Sequence, residues 1–151
     1  MHDVEVDQSG KFEVTKTDTV LAFSNGVSFS VSIPTTVKRN CITQLRKRGL
    51  TGPTLYVQLF AVGLFFLLKD YIDQFDEVVI DTEYEGREAL IKDHLMNILR
   101  RSGYRVRRGQ IRFGHIGKVS PAHSLALATF RKNKAPDVVL TLEAILGQFK
   151  A

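Results

Sequence analysis

The stretch LYVQLFAVGLFFLL, residues 55–68, constrains the fold of this chain more than any other segment. It carries no charge and one amide, Gln58, so a helix formed here is apolar on all sides and has to be surrounded. A bilayer span needs about 20 apolar residues. This run is shorter and passes directly into KDYIDQFDE. The reading is therefore a helix over residues 54–75 packed centrally on a sheet, with Thr51 as its cap and Pro53 in its first turn, where a missing N–H costs nothing.

Strands to receive that helix are legible on both sides of it. Residues 18–24 and 27–33 are β-rich and flank Asn25-Gly26, a two-residue turn of the kind that takes positive φ twice. Upstream, VEVDQSGKFEVTK reads as an earlier strand pair broken at Ser9 and Gly10, which gives three or four antiparallel strands ended by Pro34. Residues 35–48 read as a basic helix stopped by Gly49. Residues 77–81 form a short, continuously apolar strand of the type buried on both faces. An amphipathic helix follows over 86–102, with Leu90, Ile91, Leu95, Ile98 and Leu99 inward. Residues 104–116 alternate as a strand, and 120–132 return to helix with Ser120 as N-cap and Pro121 in the first turn. For residues 137–150, VVLTL suits a strand and LEAILGQFK a terminal helix. The expected class is α/β: a mixed sheet with antiparallel N-terminal strands followed by crossover helices.

A chain of 151 residues, 44% hydrophobic and 25% charged, is of the size of one domain, residues 1–151, with only residues 1–3 as a candidate flexible tail. The single cysteine, Cys41, excludes an internal disulfide, and His2, His94 and His115 form no zinc-ligand spacing with it. Basic neighbours make Cys41 a candidate nucleophile without a convincing His partner. The N-terminus is polar and acidic, unlike a signal peptide. The expected location is cytoplasmic, with no membrane association.

The net charge of +5 is concentrated. No Asp or Glu occurs from His94 through Pro136, whereas Arg100, Arg101, Arg105, Arg107, Arg108, Arg112 and Lys118 all do, followed by Arg131, Lys132 and Lys134. A second run comprises Lys38, Arg39, Arg46, Lys47 and Arg48. One-signed stretches are the footprint of a polyanion, so nucleic acid is the expected partner and the seven residues from Arg100 to Lys118 its candidate contacts. The alternative is a solvated basic face.

Two apolar strands stop at an aspartate, VEVD at Asp7 and EVVID at Asp81. Neither carboxylate is required by its strand, and together they suggest a metal-binding pair where neighbouring strands finish. VEVDQSG resembles the first strand of ribonuclease H, which ends in a metal-binding Asp followed by Ser and Gly. VVIDTEYEG resembles the family's fourth strand, which follows a long buried helix and ends in an acid beside the first strand, with Glu83 two residues further on. IRFGHIGKVSPAHSLALA resembles the fifth strand, its Gly- and His-containing loop, and the final helix that carries the last metal ligand. AHSLALA also resembles the small-residue final helix of RuvC-type resolvases. His123 stands at the ligand position, which is His in some members, Piwi proteins and certain resolvases among them. The chain thus resembles the ribonuclease H-like superfamily, with one departure: Gln58 stands about where ribonuclease H carries a helix Glu.

The resemblance implies a metal-dependent nuclease in which Asp7, Asp81 and His123 hold Mg²⁺ or Mn²⁺ and Glu83 completes the catalytic set. Two such ions roughly 3.5 to 4 Å apart activate the attacking water and neutralise the leaving oxygen. The absent helix acid and the presence of His123 point to a resolvase-like, structure-selective activity and to DNA ahead of RNA. A second reading stays open, a non-catalytic nucleic-acid-binding or assembly module on the same fold. The oligomeric state is also open, a homodimer among the options.

Overall fold

A computed structural model describes residues 2–149. Its strands are β1 (His2–Ser9), β2 (Thr19–Asn25), β3 (Val27–Ile33), β4 (Phe75–Asp81), β5 (Ile111–Gly114) and β6 (Val138–Val139). They form one sheet in the order β5-β4-β1-β2-β3-β6. The first three are an antiparallel meander, while β4 runs parallel to β1, β5 to β4, and β6 to β3. This is the expected α/β class. The order 5-4-1-2-3 with an antiparallel β1-β2-β3 is compatible with a ribonuclease H-like fold, and β6 adds a short parallel edge beyond it.

Strand alternation sorts the two faces. Val4, Val6, Leu21, Phe23, Val78 and Ile80 enter a core shared with α2 (Gly52–Leu68). The helix buries side chains around its whole circumference, with the sheet on one side and α1 (Thr35–Lys47), α3 (Glu88–Arg101) and α5 (Leu142–Leu146) packed around it. Gly63 makes the close approach: a Cβ there would lie 2.8 Å from Leu21 Cδ1. The opposite face receives α4 (Pro121–Phe130), which packs on β1 and β2 through the small buried residues Ala122 and Ala126. Ser120 caps it as expected, its Oγ accepting from Ala122 N at 3.2 Å. Among the described residues, no helix is long and apolar enough to cross a membrane.

Several local expectations are corrected. The segment 11–16 is not a strand. Lys38, completely buried on α1, donates through Nζ to Lys11 O (3.1 Å), Val14 O (2.7 Å) and Thr19 Oγ1 (3.1 Å), which folds residues 11–17 into a loop with Phe12 beneath it. Lys38 therefore leaves the basic surface run, and burial lowers its pKa to about 8 against the opposing charges of Asp18 and Glu13. In the β2–β3 turn only Gly26 takes positive φ, because Asn25 already pairs with Val27. The apolar helix ends at Leu68, since β4 begins at Phe75, and Thr51 sits at its N-cap without a side-chain bond. Leu90 is 48% exposed, and Met96 is buried with Ile91, Leu95, Ile98 and Leu99. Only Ile111–Gly114 of the expected strand 104–116 pairs. Both readings of the C-terminal segment hold in part, as β6 and α5, with Lys150 outside the described residues. The expected tail starts β1 at His2, and Met1 lies outside the described residues. Cys41 is fully buried and its thiol is pushed up to about 12, which removes it as a nucleophile.

Candidate metal centre

The register of the parallel strands brings the two aspartates together. Val6 pairs with Ile80, so Asp7 and Asp81 are the next residues of adjacent strands, on the face that carries α4. Beyond Asp81 the chain stays extended for one more step, because Thr82 N donates to Gly114 O at 3.0 Å. Residues two apart on extended backbone share a face, and Glu83 joins the pair. One carboxylate oxygen from each of Asp7, Asp81 and Glu83 lies within 4.8 Å of the others.

Each acid is held by its own neighbours. Asp7 is 5% exposed, with Oδ1 accepting from Gln8 N at 2.8 Å and Oδ2 from His123 Nδ1 at 2.8 Å. Asp81 Oδ1 accepts from Ile116 N at 2.8 Å, which fastens the β5–α4 loop to the cluster. Burial raises the pKa of Asp7; the bonds from Gln8 and His123 oppose this and the charge of Asp81 adds to it. Glu83 rises further, to about 7, through burial first and then through a hydrogen bond to Asp81 and the charges of Asp81 and Asp7, with Lys11 opposing. Burial and mutual repulsion both disfavour the charged carboxylates, and a bound cation would offset both. An oxygen-only donor set of this kind suits a hard divalent cation, and the triad can hold one.

The predicted residues divide. Asp7, Asp81 and Glu83 converge, and His123 reaches them through Asp7: its Nδ1 is engaged by that carboxylate, which leaves Nε2 as the nitrogen able to meet a ligand. Gln58 is elsewhere. It lines a cleft of about 790 Å³ with His94, Asn97 and Arg101 between α2 and α3, so the third carboxylate is supplied by Glu83 at the exit of β4.

The seven basic candidates spread along the sheet. Lys118 lies exposed in the β5–α4 loop at the acid end. Arg100, Arg101, Arg105, Arg107 and Arg108 precede β5, whose first residue, Ile111, pairs with Val78, while its last, Gly114, pairs with Asp81. They therefore sit toward the far end of the strands. Arg108 pairs with Asp93 at 2.6 Å and Arg112 with Glu77 at 3.0 Å; Arg100 donates to Val106 O and Arg101 to Gln148 O. Lys11, which sequence reasoning assigned to a strand, is exposed and lies near enough to Glu83 to lower its pKa. Its place depends on the Lys38 anchor, which no local pattern around Lys11 announces.

No protein-family description, curated protein or solved structure matches this chain.

Proposed function

We propose that this protein is a divalent-metal-dependent nuclease that hydrolyses phosphodiester bonds, with preference for branched or otherwise structured DNA. The observation that carries the reading is the convergence of Asp7, Asp81 and Glu83 within 4.8 Å at the ends of neighbouring parallel strands, with His123 bonded to the most buried of them. Asp7, Asp81 and Glu83 would hold Mg²⁺ or Mn²⁺, which supplies activation of water and neutralisation of phosphate charge when bound.

The chain's own groups do the rest. His123 is held by Asp7 through Nδ1 at 2.8 Å, which orients the ring and leaves Nε2 as the nitrogen that would meet substrate or water. The backbone bonds to Asp7 and Asp81 hold two carboxylates in place before substrate arrives, which limits reorganisation. Lys118 and Lys11 offer positive charge to the phosphates next to the scissile one. The arginines before β5 are reached only by a substrate that continues past the sheet, which supports a polymer over a mononucleotide.

The test is cleavage of labelled four-way junctions, flaps, duplexes and RNA–DNA hybrids with Mg²⁺ or Mn²⁺. Asp7→Asn and Asp81→Asn are each expected to lower the rate by about 100-fold or more. Cleavage that survives both substitutions overturns the assignment. The distance of the arginines from the acids favours one competing reading, a module that binds nucleic acid without cutting it. That reading predicts binding that weakens steeply with salt and is indifferent to metal.

A further inference from the structure

Directly beside the acid cluster, the chain builds a second depression that the cleavage chemistry does not use. Glu83 turns its carboxylate to Asp7 and Asp81, and the next residue, Tyr84, lines a pocket of about 400 Å³ with Tyr56, Val57, Glu13, Glu85 and Arg87. Tyr84 follows Glu83 directly in the chain, so the pocket opens at the same end of β4 as the acids, on the α2 side of the sheet. Both walls are set from below. Tyr84 packs on Phe60 with ring centroids 5.5 Å apart, and Phe60 in turn meets Phe12 of the 11–17 loop at 6.2 Å. Tyr56 projects from the first turns of α2, where Arg46 reaches its hydroxyl at 3.5 Å. Glu13 and Glu85 are exposed, and Arg87, half-buried, is also among the lining residues.

We infer that this pocket is a base-binding subsite that takes one unstacked nucleobase with an amino-bearing edge, guanine before others. The inference rests on the nuclease reading for its place in function, and on the pocket for its chemistry. Two half-buried tyrosine rings, over a floor closed by the buried Val57, give a flat base the aromatic surface that proteins use for single-stranded nucleotides. The carboxylates at the mouth accept hydrogen bonds only. Guanine presents two adjacent donors, N1–H and N2–H, to one carboxylate. Cytosine and adenine present one exocyclic amine. Uracil and thymine present a single N3–H between two carbonyl oxygens, which a carboxylate repels. Arg87 offers a cation to the attached phosphate, so the carboxylates do not repel the nucleotide outright. An unpaired nucleotide next to the scissile phosphate also fits a preference for branched substrates, where a base can leave the stack at low cost.

The sequence has four tyrosines, Tyr56, Tyr71, Tyr84 and Tyr104, and no tryptophan, so ring ¹³C-labelled tyrosine gives a small set of signals assignable with single Tyr→Phe variants. The full chain in EDTA, where metal-dependent cleavage is silent, is titrated with guanosine 5′-monophosphate and uridine 5′-monophosphate to about 10 mM, which covers dissociation constants near 1 mM. The expected result is a saturable shift at Tyr56 and Tyr84 and none at Tyr71 and Tyr104, with the guanine nucleotide at least about fivefold tighter, and Glu85→Gln or Glu13→Gln reducing that preference. Absence of a saturable shift, equal shifts at all four rings, equal affinity for the two nucleotides, or a preference that survives both glutamate variants overturns the subsite. Tighter binding of N-acetyl-arginine amide at the same two rings also overturns it, in favour of a basic peptide. Because the readout needs no turnover, loss of the nuclease reading in the cleavage assay and loss of the subsite here are separate results.

Discussion

Removing one carboxylate from the cluster should stabilise the metal-free protein while it weakens the response to metal. Glu83→Gln is the informative change, because Glu83 pairs by hydrogen bond with Asp81 and glutamine retains an N–H to donate. Two unit charges 4.8 Å apart repel by about 3 kcal/mol at an effective dielectric constant of about 20. The rise of Glu83 from 4.5 to about 7 corresponds to about 3 kcal/mol as well. The second figure contains burial first and the charges after it, so the two overlap and are not summed, and partial exposure screens the result to about 1 to 2 kcal/mol. The sign follows from proton uptake. Between pH 4.5 and about 7 the native state holds a proton on Glu83 that the unfolded chain has released, so wild-type stability falls as pH rises through that window and is level above it. Urea unfolding in EDTA should therefore show Glu83→Gln and wild type nearly equal below pH 4.5, with the variant ahead by about 1 to 2 kcal/mol at pH 8. Saturating Mn²⁺, at about 100 times its dissociation constant, should add about 2.7 kcal/mol to the wild type and much less to the variant. A variant that is less stable than wild type in EDTA at pH 8, or an advantage that does not change with pH, would refute the proposal that burial and mutual repulsion disfavour the charged carboxylates.

Three further outcomes follow from residues away from the acids. Lys38 has its native pKa lowered to about 8, so between about pH 8 and 10.5 the unfolded chain holds a proton that the native state lacks, and stability should rise through that window by up to about 3 kcal/mol relative to Lys38→Met; urea unfolding of both at pH 7.5 and 10 would expose a constant gap as the contrary result. Gly10→Ala should cost about 3 kcal/mol or more, because φ is +80° and the new Cβ would lie 2.1 Å from Asp18 O and 2.7 Å from the Phe130 ring; a melting temperature within a degree or two of wild type would contradict that geometry. Gln58→Glu, which restores a helix carboxylate by sequence position, should leave Mn²⁺ affinity within about twofold by calorimetry, as expected for a site that shares no partners with the cluster; a clear tightening would place Gln58 at the acids after all.

The fold was legible where one physical constraint dominated. The all-round apolar segment could only be a central helix, the apolar strand before Asp81 only an interior strand, and Ser120-Pro121 only a helix start. The convergence of Asp7 and Asp81 was legible for a related reason, since neither had a role within its own strand. What escaped local reading was set by distant partners. Lys38, Cys41, Ile42 and Leu45 form an i, i+3, i+4, i+7 stripe, so the burial of Lys38 had a sequence signal, but counting it with its basic neighbours hid that signal. The loop at 11–17 alternates like a strand, yet three acceptors around one ammonium fix it otherwise. The arginines near residue 100 formed a single block in sequence, and the direction of β5 carries them away from the acids while leaving Lys118 beside them.

Glu83 brings a third carboxylate to Asp7 and Asp81 from the exit of β4. Asp81 is the last residue of β4, yet Thr82 still bonds to Gly114 O through its N–H at 3.0 Å, with its hydroxyl at 3.4 Å, so the chain keeps its strand-like alternation for one residue more. That single step places Glu83 on the same side as Asp81. It does not extend to Glu85, because the backbone has turned by Gly86, where φ is +80°, and Glu85 lines the tyrosine pocket instead. A helix-borne acid would reach the site only as accurately as the helix packs on the sheet. An acid two residues along an extended segment inherits its position from the ladder itself, and β4 is paired on both sides, by β1 and by β5. The centre is thus built from one sheet edge-on: Asp7 from the β1 register, Asp81 and Glu83 from the β4 exit, and His123 clamping Asp7 from α4. Gln58 lines the cleft between α2 and α3, and α2 serves the core and, through Tyr56, the wall of the neighbouring pocket.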